Sequence, residues 1–208
     1  MRQTVIVYSL LMAGVVLLSN ILVQYPVSGS LYGISLADLL TWGAFTYPLA
    51  FLVNDLTNRQ FGPSAARKVV IAGFVVGVAF SFYASVPRIA IASGTAFLVG
   101  QFLDITVFNR LRRQTWWKAP LAGSLMGSVL DTVLFFSISF AAIFAFIGPN
   151  DDFALGMAPL FGVFPIDVPR WVSWALGDLS VKVAFSLIML LPYAALMSWI
   201  RPQRTIEA

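Results

Sequence analysis

Long apolar runs alternate with short polar ones along the whole chain. Six apolar segments stand out, at about residues 5–25, 38–56, 69–86, 89–108, 119–147 and 171–200. The first stops at Pro26 and the turn-rich Ser28-Gly29-Ser30, and the third stops at Pro87. The fifth is long enough to tilt or break, and the sixth carries Pro192. A helix crosses about 30 Å of hydrocarbon in about 20 apolar residues. A membrane barrel would instead show shorter strands of alternating polarity. The pattern predicts an all-α membrane protein, a bundle of six transmembrane helices.

Composition removes the soluble alternative. Charged residues make up 11% of the chain and hydrophobic ones 59%, whereas a soluble domain carries roughly 25% charge. The 208 residues leave no room for a soluble domain beside six spans, so a single transmembrane domain over 1–208 is expected. Arg2 and the small Ser28 and Ser30 give the first segment a faint look of a signal peptide. Its apolar run exceeds the 7–15 residues of a signal core, however, and a retained helix is expected.

Charge then sets the orientation. With the N-terminus in the cytoplasm, the inner loops and ends hold Arg2, Arg59, Arg67, Lys68, Arg110, Arg112, Arg113, Lys118, Arg201 and Arg204. The outer loops hold only Arg88 and Arg170. That bias predicts both termini inside. It also assigns the net charge of +4 to the anionic cytoplasmic leaflet, so lipid rather than nucleic acid is the expected partner. The longest outer loop, 148–170, is acidic through Asp151, Asp152 and Asp167 yet carries Met157, Leu160, Phe161, Phe164 and Ile166. It either lies at the interface or dips back as a lid.

The chemistry sits in residues that do not belong in lipid. A carboxylate at a helix centre costs a few kcal/mol and turns to a protein interior or a wet cavity. Such residues are Asn20 and Gln24 in the first segment, Asn54, Asp55 and Asn58 in and just beyond the second, and Gln101 and Asp104 in the fourth. Asp131 lies in the fifth, and Asp178 and Lys182 lie in the sixth. Phe97, Gln101, Asp104 and Phe108 share one helix face, as do Ser124, Ser128, Asp131 and Phe135. Gly100 to Phe108 and Gly127 to Phe135 both read G-x-x-L-D-x-x-x-F, an internal echo of the kind that paired transporter half-sites produce. Asp178 and Lys182, four apart on one helix, form either an internal ion pair or a gate.

Enzyme chemistry is not expected. The chain has no His and no Cys, which removes the commonest base, thiol catalysis and Cys/His metal sites, and no cofactor is expected. Asp104 and Asp131 loosely suit an intramembrane aspartyl protease, but neither a Tyr-Asp pair nor a Gly-x-Gly-Asp signature accompanies them.

Three runs carry a resemblance. They are Phe45-Thr46-Tyr47-Pro48 with Asn54-Asp55-Leu56-Thr57-Asn58 and Phe61-Gly62, then Ala92-Ser93-Gly94-Thr95-Ala96-Phe97 with Gln101-Phe102-Leu103-Asp104 and Phe108, then Gly127-Ser128-Val129-Leu130-Asp131-Thr132 with Phe135-Phe136. Together they resemble the queuosine precursor transporter family, also called the vitamin uptake transporter family. One departure is Arg59-Gln60 after Asn58, where family members often carry an acid. The resemblance implies uptake across the bacterial inner membrane of 7-cyano-7-deazaguanine, 7-aminomethyl-7-deazaguanine or queuine, without a dedicated ATPase.

Such a cargo suits the polar residues. A guanine-like edge offers N1–H and an amine as neighbouring donors, which one carboxylate accepts together. Asp104 or Asp131 is expected to take that edge, with amides from Gln101, Asn54 and Asn20 and stacking by Phe97 or Phe135. Asp55 and Asn58, nearer the cytoplasmic end, would shape an inner gate. Two other readings stay open. A substrate-binding subunit of an energy-coupling-factor vitamin importer would engage a partner through small residues such as Ala13 and Gly14. A membrane scaffold would tolerate loss of the acids. A homo-oligomer is compatible with each.

Overall fold

The computed structural model describes residues 2–198. It is mostly helical. Helix α1 spans Arg2–Leu22, α2 Gly43–Thr46, α3 Pro48–Phe61, α4 Pro63–Ala84 and α5 Pro87–Leu111. Helix α6 spans Lys118–Phe140, α7 Asp152–Leu155, α8 Arg170–Ile188 and α9 Leu190–Met197. Two small antiparallel hairpins interrupt the all-helical pattern: β1 Ser30–Leu31 with β2 Ile34–Ser35, and β3 Met157–Leu160 with β4 Phe164–Pro169. Tyr32 and Gly33 turn the first with positive φ at both positions, the geometry that a two-residue hairpin loop demands.

Five helices among the described residues are long and apolar enough to cross a membrane, with α8 and α9 counted as one. The expected second span behaves differently. Its first residues, 38–42, are not helical, and the helix that follows is broken at Tyr47. Pro48 has no N–H for the carbonyl one turn back, so α2 ends and α3 starts with proline at its first position. Helix α3 alone is about 21 Å long at 1.5 Å per residue.

Helix α3 touches α1, α2, α4, α5, α6, α8 and α9. It is the hub of the bundle, ringed by α1, α4, α5, α6 and α8. This position explains its polarity. Asn54, Asp55, Thr57 and Asn58 are all buried against protein, so no polar group of this run meets lipid. The outer faces of the ring are apolar instead, with Ile6, Leu10, Val75, Met126 and Val133 exposed.

Two further boundaries moved. The expected fifth span, 119–147, ends at Phe140, followed by extended Ala141 and a single 3-10 turn at Ala142–Phe144. Arg88 holds that corner. It is buried, and its guanidinium donates to the carbonyls of Ile138 (2.8 Å), Ala141 (2.6 Å), Gly148 (3.3 Å) and Pro149 (3.1 Å), and to Asn150 Oδ1 (3.1 Å). The expected sixth span, 171–200, breaks at Met189, because Pro192 cannot donate to the carbonyl of Ile188; residues beyond 198 lie outside the described part. The remaining helices start earlier than the hydropathy suggested, with Pro63 and Pro87 each seated in the first turn of its helix.

Candidate transport cavity

Both hairpins lie at one end of the bundle, and beneath them opens a cavity of about 970 Å³. The break between α2 and α3 makes the room, since the hub helix proper begins only at Pro48. The wall is built by the ends of α1, α2, α5, α6 and α8 that face the hairpins, through residues including Asn20, Tyr47, Ser93, Asp131, Phe135 and Lys182. The 148–170 loop folds over this mouth. Asp151 caps α7 by accepting from the Ala154 N–H at 3.0 Å, the Phe161 N–H donates to Ser173 Oγ at 3.1 Å, and Phe153, Pro159 and Phe161 line the cavity.

The charged floor comes from two helices. Lys182 Nζ lies 2.7 Å from Asp131 Oδ2 and 2.5 Å from Asp178 Oδ2. Tyr47 donates its hydroxyl to Asp131 Oδ1 at 2.8 Å, and its ring lies 5.1 Å from the Lys182 ammonium. Thr132 donates to Asp178 Oδ2 at 3.0 Å. Two carboxylates around one ammonium leave a formal excess of one negative charge on the cavity floor. Aromatic rings stand along the walls: Phe135, Phe136, Phe140 and Trp174. The floor is therefore rich in hydrogen-bond acceptors and the walls in aromatic rings.

Sequence reasoning picked out the Asp178–Lys182 pair but missed Asp131 as the second partner of Lys182, because residues 51 apart share no helical period. Tyr47 was missed as a cavity residue as well. Its only signal was the Phe45-Thr46-Tyr47-Pro48 run that helped carry the family resemblance.

The predicted site residues divide into two groups. Asn20, Asp131, Phe135, Asp178 and Lys182 line the cavity, with Asn20 Nδ2 also donating to the Gly77 carbonyl at 3.4 Å. Asn54, Asp55, Asn58, Gln101 and Asp104 are packed shut in the other half of the bundle. There Asn54 Nδ2 donates to Asp104 Oδ2 at 2.7 Å and to the Gln101 carbonyl at 3.3 Å, and Asn58 Nδ2 donates to the Ile105 carbonyl at 3.4 Å. Phe97 stands between the two groups, edge-on to Tyr47 with ring centres 6.1 Å apart.

The repeated G-x-x-L-D-x-x-x-F pattern has a packing origin. Its two glycines meet where α5 crosses α6. A methyl on Gly100 would sit 3.1 Å from the Gly127 carbonyl oxygen, and one on Gly127 would sit 3.0 Å from the Gly100 carbonyl oxygen. Small residues let membrane helices approach this closely. Because the helices run antiparallel, the aspartates that follow each glycine point toward opposite halves of the bundle: Asp131 to the open cavity, Asp104 to the closed cluster.

A multi-span helical bundle with a largely apolar cavity that ends on charged residues is compatible with a membrane carrier. The chain matches the family described as "Putative vitamin uptake transporter" over residues 41–86 and 79–197. It is 36% identical to the "Queuosine precursor transporter" of Escherichia coli (strain K12), over 86% of this chain and 80% of that protein. It is 46% identical to the "Probable queuosine precursor transporter" of Haemophilus influenzae over 48% of this chain and 52% of that protein. The counterpart in Bacillus subtilis (strain 168) is 25% identical over 74% of this chain and 69% of its own length. No solved structure matches. The chain belongs to the vitamin uptake transporter family and is a multi-pass protein of the bacterial inner membrane.

Proposed function

We propose that the protein imports a 7-deazaguanine precursor of queuosine, and that the cavity ending on Asp131 is where the cargo first binds. The observation that carries this reading is the pairing of an acceptor-rich floor with aromatic walls in a cavity of about 970 Å³, within the range that encloses small ligands. Asp131 and Asp178 accept from the N1–H and the exocyclic amine. Asn20 meets the ring carbonyl. Phe135 stacks on the ring face, helped by Phe140 or Trp174. Lys182 holds the two carboxylates side by side, offsetting a repulsion that would otherwise drive them apart. The names of the relatives supply the cargo class, and no bond is made or broken in this scheme.

The same reading takes α2 and α3 together as a sixth crossing. Residues 43–61 rise about 28 Å at 1.5 Å per residue, close to the hydrocarbon thickness of about 30 Å. Six crossings put both termini in the cytoplasm by the charge bias. The hairpins and the cavity mouth then face the periplasm, as an importer requires.

The experiment is uptake of labelled 7-cyano-7-deazaguanine by a strain that cannot make its own, with variants at matched expression. Losing hydrogen bonds to a charged group costs about 1.5–3 kcal/mol and losing a base–aromatic stack about 1–3 kcal/mol, so Asp131→Asn should cut uptake about tenfold or more and Phe135→Ala at least about fivefold. Wild-type uptake by both rejects the cavity as the cargo site.

A further inference from the structure

The closed half of the bundle holds an arrangement that packing alone does not explain. Gln101 is fully buried, yet neither Nε2 nor Oε1 finds a partner among the described residues. The same holds for Asn54 Oδ1, Asn58 Oδ1, Asp55 Oδ1 and Asp104 Oδ1, on side chains that are at most 2% exposed. A buried polar atom without a partner costs about 1–3 kcal/mol. Several of them, carried by α3 and α5, make a cluster of donors and acceptors that a polar ligand would partner.

The elements beside this cluster are those with breaks. A small void of about 10 Å³ touches Asp55, Ser124 and Ser186 and is closed by Pro48, Pro120, Met189, Leu190 and Tyr193. Pro48 marks the α2–α3 break, and Met189 marks the α8–α9 break. Tyr193 is 1% exposed, packs edge-on against Phe108 with ring centres 6.5 Å apart, and its hydroxyl also lacks a partner among the described residues. Helix α9 makes its main contacts with α8 and α3. A swing of α9 about Met189 gives up the packing of Tyr193 in the cluster with Leu56, Phe108 and Ala119 and leaves the contacts among the other helices in place. Such a swing withdraws Tyr193 and bares the cluster to the end opposite the hairpins.

The donor set of the cluster parallels that of the floor. Carboxylate oxygens of Asp104 and Asp55 are free to accept, and the Gln101 amide offers a donor and an acceptor side by side. Asp104 also stands in the same relation to Gly100 and α5 as Asp131 does to Gly127 and α6. We propose that Asn54, Asp55, Gln101 and Asp104 form a second, inward half-site that takes over the hydrogen-bonding edge of the cargo once α9 and its Tyr193 plug swing away. This rests on the import reading above. The cargo passes from Asp131 to Asp104 past Phe97 and Tyr47 and leaves beside Asp55.

The chain contains no cysteine, so single-cysteine variants report one place each. Ser93→Cys marks the outer cavity and Ser124→Cys the inner void, with Ser186→Cys as a second inner reporter should Ser124→Cys fold poorly. Each is reconstituted in vesicles of known orientation and labelled with a membrane-impermeant thiol reagent from either face, with and without 7-cyano-7-deazaguanine. The inner reporter is expected to react only from the face opposite the hairpins. Cargo at ten times its Kd on that face should slow the reaction about tenfold by occupancy. An inner reporter that never reacts, or reacts equally fast with and without cargo, overturns the inner half-site, whatever the outer reporter does. An unprotected Ser93→Cys beside a protected inner reporter overturns the outer cavity reading and leaves the inner site standing.

Discussion

Lys182 decides the character of the cavity floor. It neutralises only one of the two carboxylates within reach, so removing it leaves two negative charges facing each other on side chains that are 5% and 17% exposed. Breaking a buried ion pair from one side costs about 3–5 kcal/mol. Lys182→Met should therefore lower the thermal unfolding midpoint in detergent sharply. The double variant Lys182→Met with Asp131→Asn should recover much of that stability, because a single carboxylate remains and Thr132 still donates to it. Arg88 is a structural counterpart at the same end. Its guanidinium serves four carbonyls and one amide oxygen across three segments of chain, and lysine, with a compact donor head, cannot reproduce that fork. Arg88→Ala should cost about 1.5–3 kcal/mol or more, read in the same unfolding assay, and Arg88→Lys should rescue only part.

At the scale of elements, the breaks matter more than the straight helices. Pro192 keeps α8 and α9 from forming one rod, and if α9 pivots at Met189, straightening it removes the pivot. Pro192→Ala restores a helical N–H and should raise thermal stability while slowing uptake at saturating cargo. Faster uptake, or unchanged uptake with higher stability, would argue against a moving α9. The α5–α6 crossing should be the opposite case, a rigid seam. Gly127→Leu forces a side chain into the Phe51 ring and the Gly100 carbonyl, and overpacking of this kind costs about 1–3 kcal/mol, measurable as a lower unfolding midpoint. Hydropathy located five spans well because each faces lipid along much of its length. It set the second span several residues early, because Leu39, Leu40 and Trp42 extend the apolar run although 38–41 lines the cavity mouth without being helical, and Asn54, Asp55, Asn58, Arg59 and Gln60 read as an end although the helix continues to Phe61 inside a sleeve of protein.

For the molecule as a whole, the sequence carried the membrane class and the family, and it singled out the acids as candidates, since ionisable residues in apolar runs are conspicuous whatever they touch. What it could not carry was their grouping. Asp104 and Asp131 looked like one site because they share a motif, but the antiparallel crossing sends them to opposite halves. Asp131 joined Lys182 and Tyr47 through contacts between helices far apart in the chain. The result is a carrier with one half open and the other closed. The claim at its centre is that a deazapurine binds in the open half against Asp131. Calorimetric titration of the purified protein with 7-cyano-7-deazaguanine tests it most directly, with guanine as a comparison and Asp131→Asn as the variant. Saturable binding of one cargo per chain is expected, weakened about tenfold or more in Asp131→Asn, in line with the loss of hydrogen bonds to a charged group. Equal affinity in the two proteins, or no binding to a folded wild type, would contradict it.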